Sequence, residues 1–289
     1  MQSPKLTIGM ATYDDFDGVY FSIQAIRMFH PEVANDIEFL VIDNNPNGSH
    51  GKDIKNFCGY ARNIKYIPFE EYKSTAIRNK IFENATCPYV LSMDCHVFFE
   101  AGSLKKLIDY YSLNSNSQDL LQGPLVYDDL QNISSHFDPV WRSQMYGTWG
   151  TDNRAIDKNA EPFEIPMQGL GVFSCKKDSW LGFNNLFKGF GGEEGYIHEK
   201  FRKHGHKTLC LPFLRWIHRF ARPNGIKYPL LIENKVRNYF IGHIELGMDP
   251  MPVINHFKEW MPERELIKLY ETTLQEVIAS GVFQSNRKL

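Results

Sequence analysis

Apolar residues along the first third of the chain fall into two alternating kinds of run. Leu6–Thr12, Glu38–Asp43, Ile64–Pro68 and Pro88–Asp94 are short, rich in Ile, Val, Leu and Tyr, and bounded by polar or Pro/Gly positions. That is how strands buried on both faces of a parallel sheet read. Between the first two, Val19, Ile23, Ile26 and Phe29 recur at helical spacing, and Ser74–Asn84 forms a second helical segment before the fourth strand. After it, Ser103 is placed to N-cap a helix with Leu104, Leu107, Ile108 and Tyr111 on one face. The alternation predicts an α/β fold: a Rossmann-like, mostly parallel sheet with helices on both faces. Ligands of such sheets sit at the carboxyl ends of the strands.

Farther on the periodicity weakens. Residues 128–166 are polar with Trp141, Tyr146 and Trp149 embedded, and are predicted as an ordered loop or lid. Strand-like runs return at Gly169–Ser174 and Thr208–Leu214. The last segment reads as a helix with Pro262 in its first turn and a stripe of Leu266, Leu269, Tyr270, Thr273, Leu274, Val277 and Ile278, stopped by Gly281. The stripe suits core packing or a homo-oligomer contact. This divides the chain into a domain over 1–225, with a nucleotide-binding half (1–100) and an acceptor and metal-completing half (101–225), and a helical C-terminal extension over 226–289.

Composition narrows the functional classes. Of 289 residues 43% are hydrophobic, enough for a large core, and the formal net charge of -2 gives no global field favouring nucleic acid or anionic membrane. No apolar run approaches the ~20 residues that span a bilayer. The start, MQSPKLTIGMATYDD, lacks the basic and apolar regions of a secretory signal. Five scattered cysteines without a CxxC pair read as reduced thiols, and the expected location is cytoplasmic.

The chemistry-bearing residues fall at strand ends. The fourth strand ends in Asp94-Cys95-His96. In extended chain, residues two apart point to one side, so carboxylate and imidazole can reach one ion, and this donor pair suits a borderline divalent cation such as Mn²⁺. The second strand ends in Asp43 before Asn44-Asn45-Pro46-Asn47-Gly48, and the first in Thr12-Tyr13-Asp14-Asp15. Arg78 places a cation in the helix that leads to the metal-bearing strand. Singly, Asp43 also suits an Asx turn and Arg78 a solvated helix charge; together they line one edge of the sheet in order.

This set resembles the family-two glycosyltransferases: a strand ending in Thr-Tyr, a second in Asp, an Ala-x-Arg-Asn helix, and a strand ending in a DxD-like motif. The second half resembles the polypeptide N-acetylgalactosaminyltransferases, whose metal motif is also Asp-x-His and whose Trp-Gly-Gly-Glu-Asn stretch is matched by Phe190-Gly191-Gly192-Glu193-Glu194. The spacing onward to Gly205 and to His218, in Trp216-Ile217-His218-Arg219-Phe220, is similar as well. The resemblance covers roughly residues 5–222 and implies a GT-A fold and a metal-dependent transferase using Mn²⁺ (or Mg²⁺) and a nucleotide-sugar, with UDP as the expected carrier. It implies that Asp94, His96 and His218 hold the metal, and that Thr12, Tyr13 and Asp43 contact nucleobase and ribose. Arg78 would help hold the nucleotide, the Gln168–Gly171 turn with Gly169 would pack on the donor sugar, and Arg219 and Arg222 would neutralise the departing diphosphate. Glu193 and Glu194 would lie beside the anomeric carbon, either one a candidate base; acids also suit the first turn of a helix.

Phe190 and Glu194 stand where that family has Trp and Asn, so a different acceptor is expected. With neither a Golgi anchor nor a C-terminal lectin domain in the sequence, a secretory mucin-type enzyme is not expected. Two other readings compete. A sugar-phosphate nucleotidyltransferase would carry a basic Gly-rich loop where this chain has the acidic ATYDDFDGVY. A non-catalytic glycan-binding or scaffold member would show erosion of a metal set that is complete here. A glycan, a protein, a lipid-linked sugar or a modified DNA base all fit as acceptor, and Phe137, Trp141, Tyr146 and Trp149 could stack on sugar rings or bases.

Overall fold

The computed structural model describes residues 3–222 and 225–281. In chain order the elements begin with β1 (Leu6–Thr12), α1 (Phe16–Phe29), β2 (Ile37–Asp43), α2 (Gly51–Tyr60), β3 (Ile64–Pro68), α3 (Arg78–Asn84), β4 (Tyr89–Asp94) and β5 (Val97–Phe99). There follow α4 (Ser103–Leu113), β6 (Leu120–Gln122), β7 (Leu125–Val126), β8 (Ile133–Ser134), β9 (His136–Arg142), β10 (Met145–Gly150), β11 (Phe163–Glu164) and β12 (Val172–Lys176). The chain ends with α5 (Glu193–Lys203), β13 (Thr208–Cys210), β14 (Trp216–His218), α6 (Ile232–Glu245), α7 (Met251–Phe257) and α8 (Glu263–Ala279). An eight-stranded sheet runs in the order β11-β13-β6-β12-β4-β1-β2-β3, parallel from β4 through β3 and antiparallel where β12 joins β4.

Alternation along the parallel strands fills a core on each face. Leu6, Ile8 and Met10 of β1 meet α1, α2 and α4 on one side. Leu40 and Ile42 of β2 and Val90 of β4 meet α3, α5 and α6–α8 on the other. Gly9 lies on that second face because α3 leaves no room for a side chain: a Cβ there would stand 2.1 Å from Ile81 Cγ2. The helices α6–α8 share the cluster of α3 and α5 through Val236, Phe240, Val253, Phe257, Leu266 and Val277. Leu269, Tyr270 and Leu274 pack against it, and Ile278 is left exposed.

Several local expectations are corrected. Residues 128–166 are more than a loop: β9 and β10 form an antiparallel hairpin with a bulge between Tyr146 and Thr148. Its alternation is obscured because it docks by single aromatic contacts, Trp141 stacking on His256 at 4.2 Å and the Tyr146 amide donating to Tyr239 Oη at 2.8 Å. Phe137 is core. Ser103 is the first residue of α4 rather than its cap; its hydroxyl donates to the Glu100 carbonyl, and Gly102 at φ 80° occupies the cap position. Pro262 caps α8 from outside its first turn, and Phe29 is exposed.

Three pairings position the site. Thr12 stands opposite Asp43, and Ala11 opposite Asp94, so three strand ends share one edge. On a separate small sheet β14 runs antiparallel to β5 with His218 opposite Val97, which returns a residue from late in the chain to the side of His96.

Candidate functional site

At that edge Asp94, His96 and His218 bring one ligand atom each to within 4.8 Å of one another. His96 Nε2 lies 3.1 Å from His218 Nε2, which lies 3.3 Å from Asp94 Oδ2. Two ligands about 2.1 Å from one octahedral ion stand about 3 Å apart on neighbouring vertices, so these separations fit a single cation. Two imidazoles and a carboxylate form a donor set for a borderline divalent cation.

The ligand atoms are held in ligating form by their neighbours. His96 Nδ1 lies 3.0 Å from Asp15 Oδ2, and Arg222 Nη2 donates to His96 Nε2 at 2.6 Å. This pattern assigns the proton to Nδ1 and the lone pair to Nε2, the tautomer a metal requires. Burial lowers the His96 pKa, and His218 and Arg222 add to that effect against the pull of Asp15 and Asp94, favouring the neutral ring. Burial alone would raise the Asp94 carboxyl. The hydrogen bond with His218 and the charge of Arg78 outweigh it and hold Asp94 far below the usual carboxylate range. Asp15 follows the same logic: its burial is overcome by His96, the Gly18 amide and Arg219, whose Nη2 donates to Oδ1 at 3.1 Å.

A cleft of about 270 Å³ opens from this corner, with Thr12, Tyr13, Asn44 and Arg78 on its walls. Thr12 Oγ1 is buried without a partner, and so is Asn44 Oδ1, whose amide nitrogen is spent on the carbonyls of Phe69 and Tyr72 at 3.1 and 2.8 Å. Tyr13 packs edge-on against Tyr228 at 5.1 Å, and its hydroxyl accepts from Lys73 Nζ at 3.0 Å. Asp43 is fully buried beneath this wall. Its oxygens accept from the Asn45 amide at 3.0 Å and the Tyr66 hydroxyl at 2.9 Å, so it shapes the turn that presents Asn44. Gly169 stands behind Phe137 and Trp149, its carbonyl accepting from Gln122. Two residues on, Gly171 leaves space for the Trp216 ring that underlies His218.

Behind Arg78, outside the lining of the cleft, lie Glu193 and Glu194, the first residues of α5. Glu193 is fully buried and neither of its oxygens has a hydrogen-bond partner. The Arg78 guanidinium joins the two clusters: Nη2 donates to Asp94 Oδ1 at 3.1 Å, and Nη1 lies 3.8 Å from Glu193 Oε1. Burial raises the Glu193 pKa against the pull of Arg78. Burial and the negative charge of Glu193 push Glu194 up to about 8. The site thus pairs a fixed, charge-compensated cation corner with two buried carboxyls that have spare acceptor capacity.

All twelve residues singled out in the sequence are described. Asp94, His96, His218, Arg219 and Arg222 converge, with Arg78 as the bridge to Glu193; Asp43 and Gly169 sit one layer back. Asp15 is a contributor that sequence reasoning left without a role. Its legible function is to cap α1 by accepting from the Gly18 amide at 3.0 Å; its contact with His96, far along the chain, has no local signal. Asn44 and Tyr228 were likewise unassigned. Among the described residues no helix is long and apolar enough to cross a membrane.

Comparison with known proteins agrees with this architecture. GalNAc-T7, solved with UDP, GalNAc and Mn²⁺, superposes with a TM-score of 0.69 at 14% identity, over 98% of this chain and 58% of that one. The mannosyltransferase PcManGT from Pyrobaculum calidifontis, solved with GDP-Man and Mn²⁺, gives 0.56 at 11% identity, over 97% of this chain and 77% of that one. At such identities the likeness establishes the fold, which is of the GT-A type. No curated protein matches the sequence. The profile described as glycosyl transferase family 2 matches residues 7–177, more than half of the chain. That stretch carries β1 to β4, their ligand-bearing ends and the strand that flanks them, and by it the chain belongs to glycosyl transferase family 2.

Proposed function

We propose that the protein is a metal-dependent transferase that moves a sugar from a UDP-sugar to an acceptor hydroxyl. The observation that carries this reading is the convergence of Asp94, His96 and His218, at separations of 3.1 and 3.3 Å, beside a cleft whose wall residue Arg78 links them to the buried Glu193. The Mn²⁺ in both similar solved structures, with UDP and GalNAc in one and GDP-Man in the other, supports the same chemistry.

In this reading Thr12, Tyr13 and Asn44 receive the nucleoside, with Asp43 holding the turn from below. Asp94, His96 and His218 would hold Mn²⁺, which would supply positive charge opposite the leaving diphosphate. Arg219 and Arg222 add fixed cations beside it. The sugar extends toward Glu193 and Glu194, with Gly169 and its turn behind the aromatic wall. An acceptor hydroxyl is far too weak an acid to ionise at neutral pH, so attack needs a positioned carboxylate to take its proton. Two adjacent buried carboxyls titrate as a pair. The member ionised beside Arg78 can accept the proton while its neighbour stays protonated and donates a hydrogen bond.

The test is a panel of UDP-, GDP- and TDP-sugars with Mn²⁺, read by thermal shift and by release of free nucleotide. Stabilisation and release with one UDP-sugar, both abolished by EDTA, are expected. The absence of any response to every donor would replace the transferase by a non-catalytic binding protein.

A further inference from the structure

The turn that carries Glu193 and Glu194 does not hold its own shape. Gly189, Gly191 and Gly192 have φ of 60°, 105° and 87°, conformations open to glycine but strained for other residues. The backbone donors and acceptors of this stretch need partners outside it. One flank is supplied by the segment leading into Arg78: the Thr75 amide donates to the Gly189 carbonyl at 2.9 Å, and the Gly189 amide to the Lys73 carbonyl at 3.0 Å.

The other flank is α6, which lies outside the stretch matched by the family profile. Asn238, fully buried, makes three bonds to the turn. Its Nδ2 donates to the carbonyls of Lys188 and Gly191, both at 2.9 Å, and its Oδ1 accepts from the Lys188 amide at 2.9 Å. Helix and turn are in close contact: a Cβ on Gly192 would stand 3.1 Å from Asn238 Cβ and from the Tyr239 nitrogen, and one on Gly191 2.8 Å from the Lys235 stem.

We infer that Asn238 is a positioning residue for transfer, clamping the 188–192 turn that sets Glu193 beside Arg78 and Glu194 next to it. This rests on the proposed function for its catalytic meaning, though not for the clamp itself. The amide suits the task because it donates and accepts at once. Asn238→Asp keeps the shape but turns two donor contacts into carboxylate oxygens facing carbonyls. A buried polar contact elsewhere between the same helices provides the control. Glu245 of α6 accepts from Tyr196 Oη, Lys200 Nζ and Asn184 Nδ2 at 2.7–2.8 Å, at the end of α6 remote from the turn.

The experiment compares wild type, Asn238→Asp and Glu245→Gln by amide hydrogen exchange, by binding of UDP with Mn²⁺, and by nucleotide release from the UDP-sugar turned over fastest by wild type. Asn238→Ser, which keeps one donor, replaces the Asp variant should that one not be recovered folded. For Asn238→Asp, exchange should rise selectively over residues 188–195, UDP affinity should stay within about threefold, and kcat should fall at least tenfold. Glu245→Gln should lower Tm while kcat stays within twofold. Unchanged exchange over 188–195 in the Asn238 variant overturns the clamp. Raised exchange with unchanged kcat overturns its role in transfer, as does an equal loss of kcat in Glu245→Gln at matched Tm. If wild type turns over no donor, it is the proposed function that fails, and the exchange measurement still decides the clamp.

Discussion

The two acidic clusters that Arg78 joins have their carboxyls pushed in opposite directions. At the cation corner, Asp94 and Asp15 are held below the ordinary carboxylate range by imidazoles and guanidinia. At the other, burial pushes Glu193 and Glu194 up, and the opposing pull of Arg78, 3.8 Å from Glu193, with Lys235 acting on Glu194, does not overcome it. What differs is both the supply of partners and the depth of burial: the Asp94 and Asp15 side chains are 25% and 20% exposed, whereas Glu193 and Glu194 are buried. A buried charge is tolerated where it is paired and hydrogen-bonded, and elsewhere it shifts toward neutrality. The first cluster is therefore set to stay charged, and the second is shifted toward the protonated form.

Four experiments break or sharpen that contrast. The largest effect is expected from His218→Ala. Loss of an outer partner of a metal site costs about 10–100-fold, so loss of a ligand should cost more and abolish Mn²⁺-dependent stabilisation by UDP. Normal Mn²⁺-dependent binding in this variant would remove the third ligand. Next, Glu193→Gln and Glu194→Gln should each lower turnover by about 10²–10⁴-fold, with donor KM within a few-fold of wild type. A loss seen in KM alone would make the pair a sugar contact instead of a base.

Asp15→Asn should weaken Mn²⁺ binding by about 10–100-fold without unfolding the chain, read by direct titration of the metal. Unchanged affinity would leave Asp15 as a helix cap only. The smallest effect is a pH slope. Glu194, at about 8 against an ordinary 4.5, keeps its proton where the unfolded chain has lost it. The stability this gives is fully present below pH ~4.5 and is lost as pH rises through ~8, at up to about 1.4 kcal/mol per pH unit. The Tm of unliganded protein should fall between about pH 5 and 8.5, and Glu194→Gln should flatten that fall. An identical slope in the variant would place the titration elsewhere.

Legibility in the sequence follows the same division. The cation corner was half visible, because Asp94 and His96 are two residues apart on a strand end whose register puts their neighbours at the same edge. Asp15 was hidden: the strand-end acidity was plain, but a carboxylate that caps α1 and also orients His96 gives no sequence sign of its second contact. Asp43 illustrates the converse. Its position at the end of β2 is easily read, while its complete burial under Tyr66 and Asn45 depends on how β3 and the following turn pack. The β9–β10 hairpin escaped notice because its aromatics dock on α6 and α7 instead of alternating across a sheet.

The sequence by itself determined the parallel strands, the helices between them and the placing of chemistry at their carboxyl ends. Those features depend on side-chain periodicity and on pairing between strands close in the chain. Tertiary structure alone decided that β14 pairs with β5, which brings His218 beside His96 and Asp94, and that Arg78 spans from Asp94 to Glu193. It also decided that α6 supplies, through Asn238, the hydrogen bonds the glycine turn lacks. Each is a contact between distant segments, made where one element's unmet polar groups meet another's, and the partner of a buried group is fixed by packing rather than by its own residue type.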